Sequence, residues 1–162
     1  MPISAYLKGL REHIGHDLVL SPSVAAVIRD EAGNVLIHQR SDNGAWEVPA
    51  GAVDPDEAPA QALVREVFEE TGLKVRPVRV VGVFGGFRVV HPNGDVIGPY
   101  ATLFECAVVG GQLEARDGEA LAFRWVRPAD VPRQFGAPPD IFGPDFGGAY
   151  FAWDDTWLAG LE

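Results

Sequence analysis

The chain is poor in cysteine: of its 162 residues only Cys106 carries a thiol. A lone thiol forms no internal disulfide, so nothing demands an oxidising compartment. Cys106 sits in the apolar stretch from Thr102 to Val109, which points to a buried, inert side chain. Positive charge is scarce as well, with 13 Lys and Arg against 23 Asp and Glu and a formal net charge of −10. That balance excludes a basic surface and argues against a protein that grips nucleic acid by neutralising phosphates. No apolar run approaches the roughly 18 residues that a membrane-spanning helix needs, and no basic segment with an apolar run follows Met1. The expectation is a cytoplasmic protein with no membrane partner. The histidines, His13, His16, His38 and His91, are scattered without metal-ligand spacing, and surface or capping roles are expected for each.

What the chain does hold is an ordinary globular composition, 47% hydrophobic and 22% charged, which excludes disordered and fibrous classes. The length suits one domain over residues 1–162. Leu7, Leu10 and Ile14 fall at helical spacing and predict a short N-terminal helix over about residues 5–14. Val24 to Arg29 and Val35 to Arg40 are β-branched runs around Asp30-Glu31-Ala32-Gly33-Asn34, a pattern that predicts a hairpin. Further strand-like runs cover Val75 to Val90 and Val96 to Val109, joined at an Asn93-Gly94 turn, and Ala120 to Val126. Pro128 to Pro132 reads as a turn or a single helical turn. From Gln134 to Gly148 the pattern is a loop with buried aromatics, and Tyr150 to Leu161 reads as an aromatic-rich helix. The tail over about residues 134–162 carries Phe142, Phe146, Tyr150, Phe151, Trp153 and Trp157, which is much apolar area for a free end. Such a tail either folds back on the body or pairs two copies into a homodimer.

The best-defined helix is predicted between Pro59 and Thr71, with proline tolerated in its first turn and Gly72 placed to end it. Within it Glu66, Glu69 and Glu70 are related by three and four residues, so they share one arc, while Val64, Val67 and Phe68 occupy another that can face a core. Like charges at these spacings cost about 0.2–0.5 kcal/mol per pair, which Arg65 offsets only in part. A hard divalent cation, which prefers oxygen ligands, would compensate. A solvated acidic face is the bland alternative for an arbitrary helix.

The wider spacing weighs against that alternative: Gly51, five residues, Glu57, seven residues, Arg65-Glu66, then Glu69-Glu70, one residue and Gly72. Seven specified residues at fixed spacings arise by chance in a chain this long with a probability on the order of one in a million. The pattern resembles the Nudix box, with Val67 and Leu73 at its two aliphatic positions, and the likeness extends over Val24 to Val131. The resemblance implies an α+β Nudix fold, an α/β/α sandwich with a curved mixed sheet between helices. It further implies a pyrophosphohydrolase of small-molecule nucleotides that uses Mg²⁺, with Mn²⁺ able to stand in.

Carried over position by position, the resemblance makes Glu66, Glu69 and Glu70 metal ligands, with Glu57 direct or through water and the Gly51 carbonyl a further ligand. Arg65 orients a neighbouring glutamate. Glu66 is the first candidate for the base that takes a proton from the attacking water, and Glu119 or Asp117 the second. Glu119 also reads as a solvated turn residue. Arg40 and Trp46 stand just before the box and suit a phosphate contact and a base stack, or equally a surface ion pair and a core tryptophan; Phe84 and Phe87 carry the same ambiguity.

Glu47-Val48-Pro49-Ala50-Gly51 resembles the loop common in ADP-ribose pyrophosphatases, where many triphosphate hydrolases carry glycine in place of Ala50. Against it, Arg88 and Val89 stand where those enzymes have a proline. An ADP-ribose or nucleotide-sugar substrate is the first expectation and a nucleoside triphosphate the alternative. A non-catalytic nucleotide-binding module is the reading from another class, disfavoured because Arg65, Glu66, Glu69 and Glu70 are all retained.

Overall fold

A computed structural model of the chain describes residues 4–91, 93–116, 118–134, 136–138 and 140–153. Helix α1 spans Ala5–Ile14, where the spacing predicts it, and the Ser4 hydroxyl caps it by accepting from the Leu7 N–H at 3.2 Å. None of its residues is fully buried. It is tied down by charge instead. The Arg11 guanidinium lies 3.2 Å from Asp95 and donates to the Val96 carbonyl, and His16 Nδ1 meets the same carboxylate at 2.8 Å.

Strand β1, Val19–Ile28, runs between β4, Ala50–Ala52, and β7, Val96–Gly111. It is parallel to β7 and antiparallel to β4. Its start precedes the expected Val24 because Val19 to Ser23 pair with Ile97 to Ala101. Beyond β7 lie β5, Leu73–Phe84, antiparallel, and then β9, Tyr150–Phe151, parallel to β5. Strand β6, Val89–Val90, pairs with the start of β7. This makes a six-stranded mixed sheet. A second sheet has the order β3-β2-β8, from Trp46–Glu47, Val35–Arg40 and Ala120–Val126.

The expected hairpin of the first two strands is corrected here. Asp30 does organise a tight turn, accepting from Ala32 and Asn34 N–H groups at 2.9 and 2.8 Å. Yet β1 and β2 share only the bridge from Arg29 to Val35. Both edges of β1 are already taken by β4 and β7, so β2 diverges into the second sheet. The single run expected over Val75 to Val90 is likewise broken: β5 stops at Phe84, and Gly86 takes φ of 80° before β6 begins. The Asn93-Gly94 turn is as expected, with Gly94 at φ 90°.

Helix α2 spans Pro59–Thr71 and ends at Gly72 in a left-handed conformation, φ 70°, as its sequence predicts. Its buried apolar residues Ala62, Leu63 and Val67 pack with Val24, Ala26 and Ile28 of β1 and with Phe104 and Cys106 of β7. Val67 thus faces the core as expected, whereas Val64 and Phe68 are only half buried and Arg116 covers the Phe68 ring at 4.6 Å. Burial pushes the Cys106 thiol up to about 12, in keeping with an inert side chain.

The intervening residues Ala25 and Val27 point to the other side, where Leu103, Val81, Phe84, Ile141 and Phe142 form a second cluster. A central strand buried on both faces reads as a continuous apolar run, and β1 does. The segment after β8 therefore folds back on the sheet, with Phe146 and Tyr150 packed against this cluster. The helix expected from Tyr150 is corrected at its start, since Tyr150 and Phe151 form β9; its remainder, with Trp157, lies outside the described residues. Phe84 stacks on Tyr150 with ring centres 5.4 Å apart, and Phe87 packs on the same cluster. Among the described residues no helix is long and apolar enough to cross a membrane.

Candidate functional site

The site forms where β4 crosses the flank of α2. The Ala50 N–H donates to Glu70 at 3.1 Å. Next to it, a Cβ on Gly51 would land on the Glu66 carboxylate, so only glycine lets the strand pass that close. The acidic arc of α2 is thereby turned inward: Glu66 and Glu70 are 4% and 3% exposed, whereas the Glu69 side chain is half exposed. A solvated acidic face does not describe this helix.

Arg65 gathers three of the carboxylates. Its guanidinium meets Glu57 with two bonds, at 2.9 and 2.8 Å, and Glu66 at 2.8 Å and Glu69 at 3.1 Å through Nη1. A further bond at 3.1 Å reaches the Ala52 carbonyl on β4. The planar fork suits this task, and a point charge would not. The pair with Arg65 holds the Glu57 carboxyl below its ordinary value. Glu66 behaves in the opposite way: burial, with the charges of Glu69 and Glu119 assisting, outweighs Arg65 and pushes it up to about 7. Glu70 is pushed well above the ordinary value by burial, then by Glu66, with Glu47 and Glu119 adding to it.

The second sheet delivers the remaining residues. Glu119 stands beside β8, its carbonyl accepting from the Ser41 N–H at 2.8 Å, and it lines a small pocket with His38, Arg40, Ser41, Asp42 and Glu70. Sequence-predicted Glu119 thus comes together with the box glutamates, and so does Arg40. Arg40 is engaged by Asp42 at 2.6 and 2.8 Å and by Glu47 at 2.8 Å. Trp46 is half buried on β3, and the Arg124 guanidinium lies 4.2 Å over its ring, covering a face that a nucleobase would use. Asp117 lies outside the described residues.

Two residues escaped the sequence reading. His38, expected at the surface, is 1% exposed; it lies between Glu47, 3.7 Å from Nε2, and Glu70, 4.0 Å from Nδ1. Burial pushes the Glu47 carboxyl up, but His38 and Arg40 beside it together hold it below its ordinary value. The signal available was positional: His38 continues the buried run Val35-Leu36-Ile37, and a polar residue there has to answer to a polar partner.

The donors gathered here are carboxylate oxygens, those of Glu47, Glu57, Glu66, Glu69, Glu70 and Glu119 against the guanidiniums of Arg40 and Arg65. Two of those carboxylates, Glu66 and Glu70, are buried, and the single charge of Arg65 is shared by Glu57, Glu66 and Glu69, a surplus of oxygen donors that an oxygen-seeking divalent cation fits. Among the described residues no three acidic, His or Cys side chains form a preassembled metal cage; Arg65 occupies Glu57, Glu66 and Glu69 instead.

A mixed sheet carries a helix whose carboxylates Glu66 and Glu70 face inward, next to the glycine that admits them. The NUDIX domain model matches residues 19–146, and the chain belongs to the Nudix family, whose members generally depend on divalent metal. It is 37% identical over 111 residues to a "MutT-like protein" of Streptomyces ambofaciens, covering 68% of this chain and 66% of that one. It is 30% identical over 106 residues to a Bacillus subtilis (strain 168) protein named provisionally as an 8-oxo-dGTP diphosphatase, covering 65% and 66%. The chain thus spans about two thirds of the length of the curated relatives it matches. The crystal structure of a MutT protein from Methanosarcina mazei Go1 superposes with a TM-score of 0.62 at 29% identity, covering 78% of this chain and 92% of that one.

Proposed function

We propose that the protein hydrolyses a pyrophosphate bond in a nucleotide, with Glu66, Glu69 and Glu70, assisted by Glu57 and the Gly51 carbonyl, holding divalent metal. Mg²⁺ is the first choice of ion, with Mn²⁺ able to replace it. The observation that carries this reading is the inward burial of Glu66 and Glu70 against β4, where carboxylates outnumber the one guanidinium of Arg65. The cation supplies neutralisation of phosphate oxygens and acidification of the attacking water.

The chain's own residues do the rest. Arg65 holds Glu57, Glu66 and Glu69 in one place through its fork of donors. Glu66 is the first candidate for the group that takes a proton from the attacking water. Glu119 lines the same pocket as Glu70 and is the second candidate for that proton. Arg40, which also lines this pocket, would meet a phosphate if it exchanged Asp42 for substrate.

Ala50 ahead of Gly51 supports a nucleoside diphosphate derivative of the ADP-ribose or nucleotide-sugar type. The name of the Bacillus relative supports a second reading, a nucleoside triphosphate cut to the monophosphate. A coupled phosphate-release screen with Mg²⁺ tests both: AMP with ribose 5-phosphate marks the first, inorganic pyrophosphate the second. The double variant Glu69→Gln, Glu70→Gln should lose at least about a hundredfold in turnover while staying folded. Turnover that survives the double variant would remove the box carboxylates from the mechanism, and a wild type that binds nucleotide without turning it over would favour a binding module.

A further inference from the structure

His38 is the buried polar group that this mechanism leaves unused. It sits on β2, one strand inward from the edge of the second sheet, at 1% exposure. Neither ring nitrogen has a hydrogen-bond partner within reach. A buried imidazole in that state leaves its donor and acceptor desolvated without return, so a partner in the working site is expected. The groups that face the nitrogens are Glu70 Oε2, 4.0 Å from Nδ1, and Glu47 Oε1, 3.7 Å from Nε2. Glu70 is held on its other side by the Ala50 N–H at 3.1 Å, and Glu47 by Arg40 Nη1 at 2.8 Å.

We propose that His38 is a positioning residue for the box helix: its Nδ1–H takes up Glu70 from the second sheet while the Ala50 N–H holds it from the first, with the Glu47–Arg40 pair backing the ring. The inference rests on Glu70 being a metal-facing carboxylate, as the preceding section proposes. Its physical content is geometric. A carboxylate gripped from two sheets presents its remaining lone pairs in one direction, whereas a carboxylate gripped by one backbone N–H swings. Leu36 of β2 lies in the same apolar cluster as Ala62, Leu63 and Val67 of α2, and His38, two residues on, is the buried polar side chain of that strand beside Glu70, whereas Arg40 is engaged by Asp42 and Glu47. The histidine thus couples the strand that carries Arg40 to the helix that carries the carboxylates.

The test uses the full chain and three substitutions of one residue. His38→Leu fills the volume without a donor, His38→Asn places an amide N–H where Nδ1 stands, and His38→Gln places one where Nε2 stands. Mn²⁺ binding is measured by calorimetry, and kcat and KM are measured on the best substrate of the screen. His38→Leu should weaken Mn²⁺ about 10- to 100-fold and lower kcat by a similar factor with KM for the nucleotide little changed. His38→Asn should recover most of both, and His38→Gln should not. Leucine and wild-type proteins that bind Mn²⁺ within twofold of each other would overturn the proposal. Should the leucine variant fail to fold, equal Mn²⁺ binding by the asparagine and glutamine variants overturns it in the same way. A wild type that binds no Mn²⁺ defeats the metal-site reading itself, which is a separate failure from identical binding by wild type and variants.

Discussion

Glu66 shows how far a single residue's chemistry depends on what surrounds it. A glutamate on a solvated helix releases its proton near its ordinary value of 4.5, and burial beside β4 moves this one to about 7. The sign of the consequence follows. As pH rises from about 4.5 to about 7 the unfolded chain gives up this proton while the folded protein keeps it, so the metal-free protein loses stability across that window and levels off above it. Glu70, also raised by burial, acts in the same direction. Urea unfolding in the presence of a chelator should show this decline, and Glu66→Gln should flatten it by on the order of 3 kcal/mol. A variant whose profile runs parallel to that of the wild type between pH 4.5 and 7 would mean that Glu66 is ionised in the folded state throughout.

At the scale of elements, the close pass of β4 over α2 is what turns an acidic arc into a site. Gly51 pairs with Val24 of β1, so the strand cannot retreat from the helix without breaking the sheet. The Cβ of Gly51→Ala would meet the Glu66 carboxylate. Because the obstacle is the end of a side chain, the fold survives by moving it: the melting temperature should shift by only a few degrees while turnover falls at least about tenfold. Wild-type turnover in Gly51→Ala would show that Glu66 need not sit where it does. Helix α2 was legible in the sequence from end to end, since proline at its start, glycine at its end and the 3.6-residue spacing are local signals. The pairing of β1 was not. Its apolar run reads as a strand, but which neighbours take its two edges is decided by β4 and β7, which are remote in sequence.

At the scale of the molecule, the chain after β8 closes the second core. Arg29 donates to the Gly143 carbonyl at 3.2 Å and Arg79 to that of Gly148 at 3.4 Å, while Glu105 stands between the two guanidiniums at 3.3 and 2.6 Å. Beneath this strap Ile141 and Phe142 are 1% and 3% exposed. The strap is therefore part of the core, and Ile141→Ala should cost about 2–5 kcal/mol in urea unfolding. A loss below about 1 kcal/mol would mean that the segment is only laid over a core that is complete without it.

The amino-acid sequence by itself determined the identity of the carboxylate helix, the spacing of its glutamates, the family and hence the fold, because those depend on residues within one short stretch. It also placed Arg40 and Glu119 among the candidates. Only the tertiary structure decided that Glu66 and Glu70 face inward, that Trp46 is covered by Arg124 and that His38 stands between Glu47 and Glu70. Those facts depend on two sheets meeting across a helix, and burial is a property of what the chain brings together from a distance, to which spacing along the chain is blind.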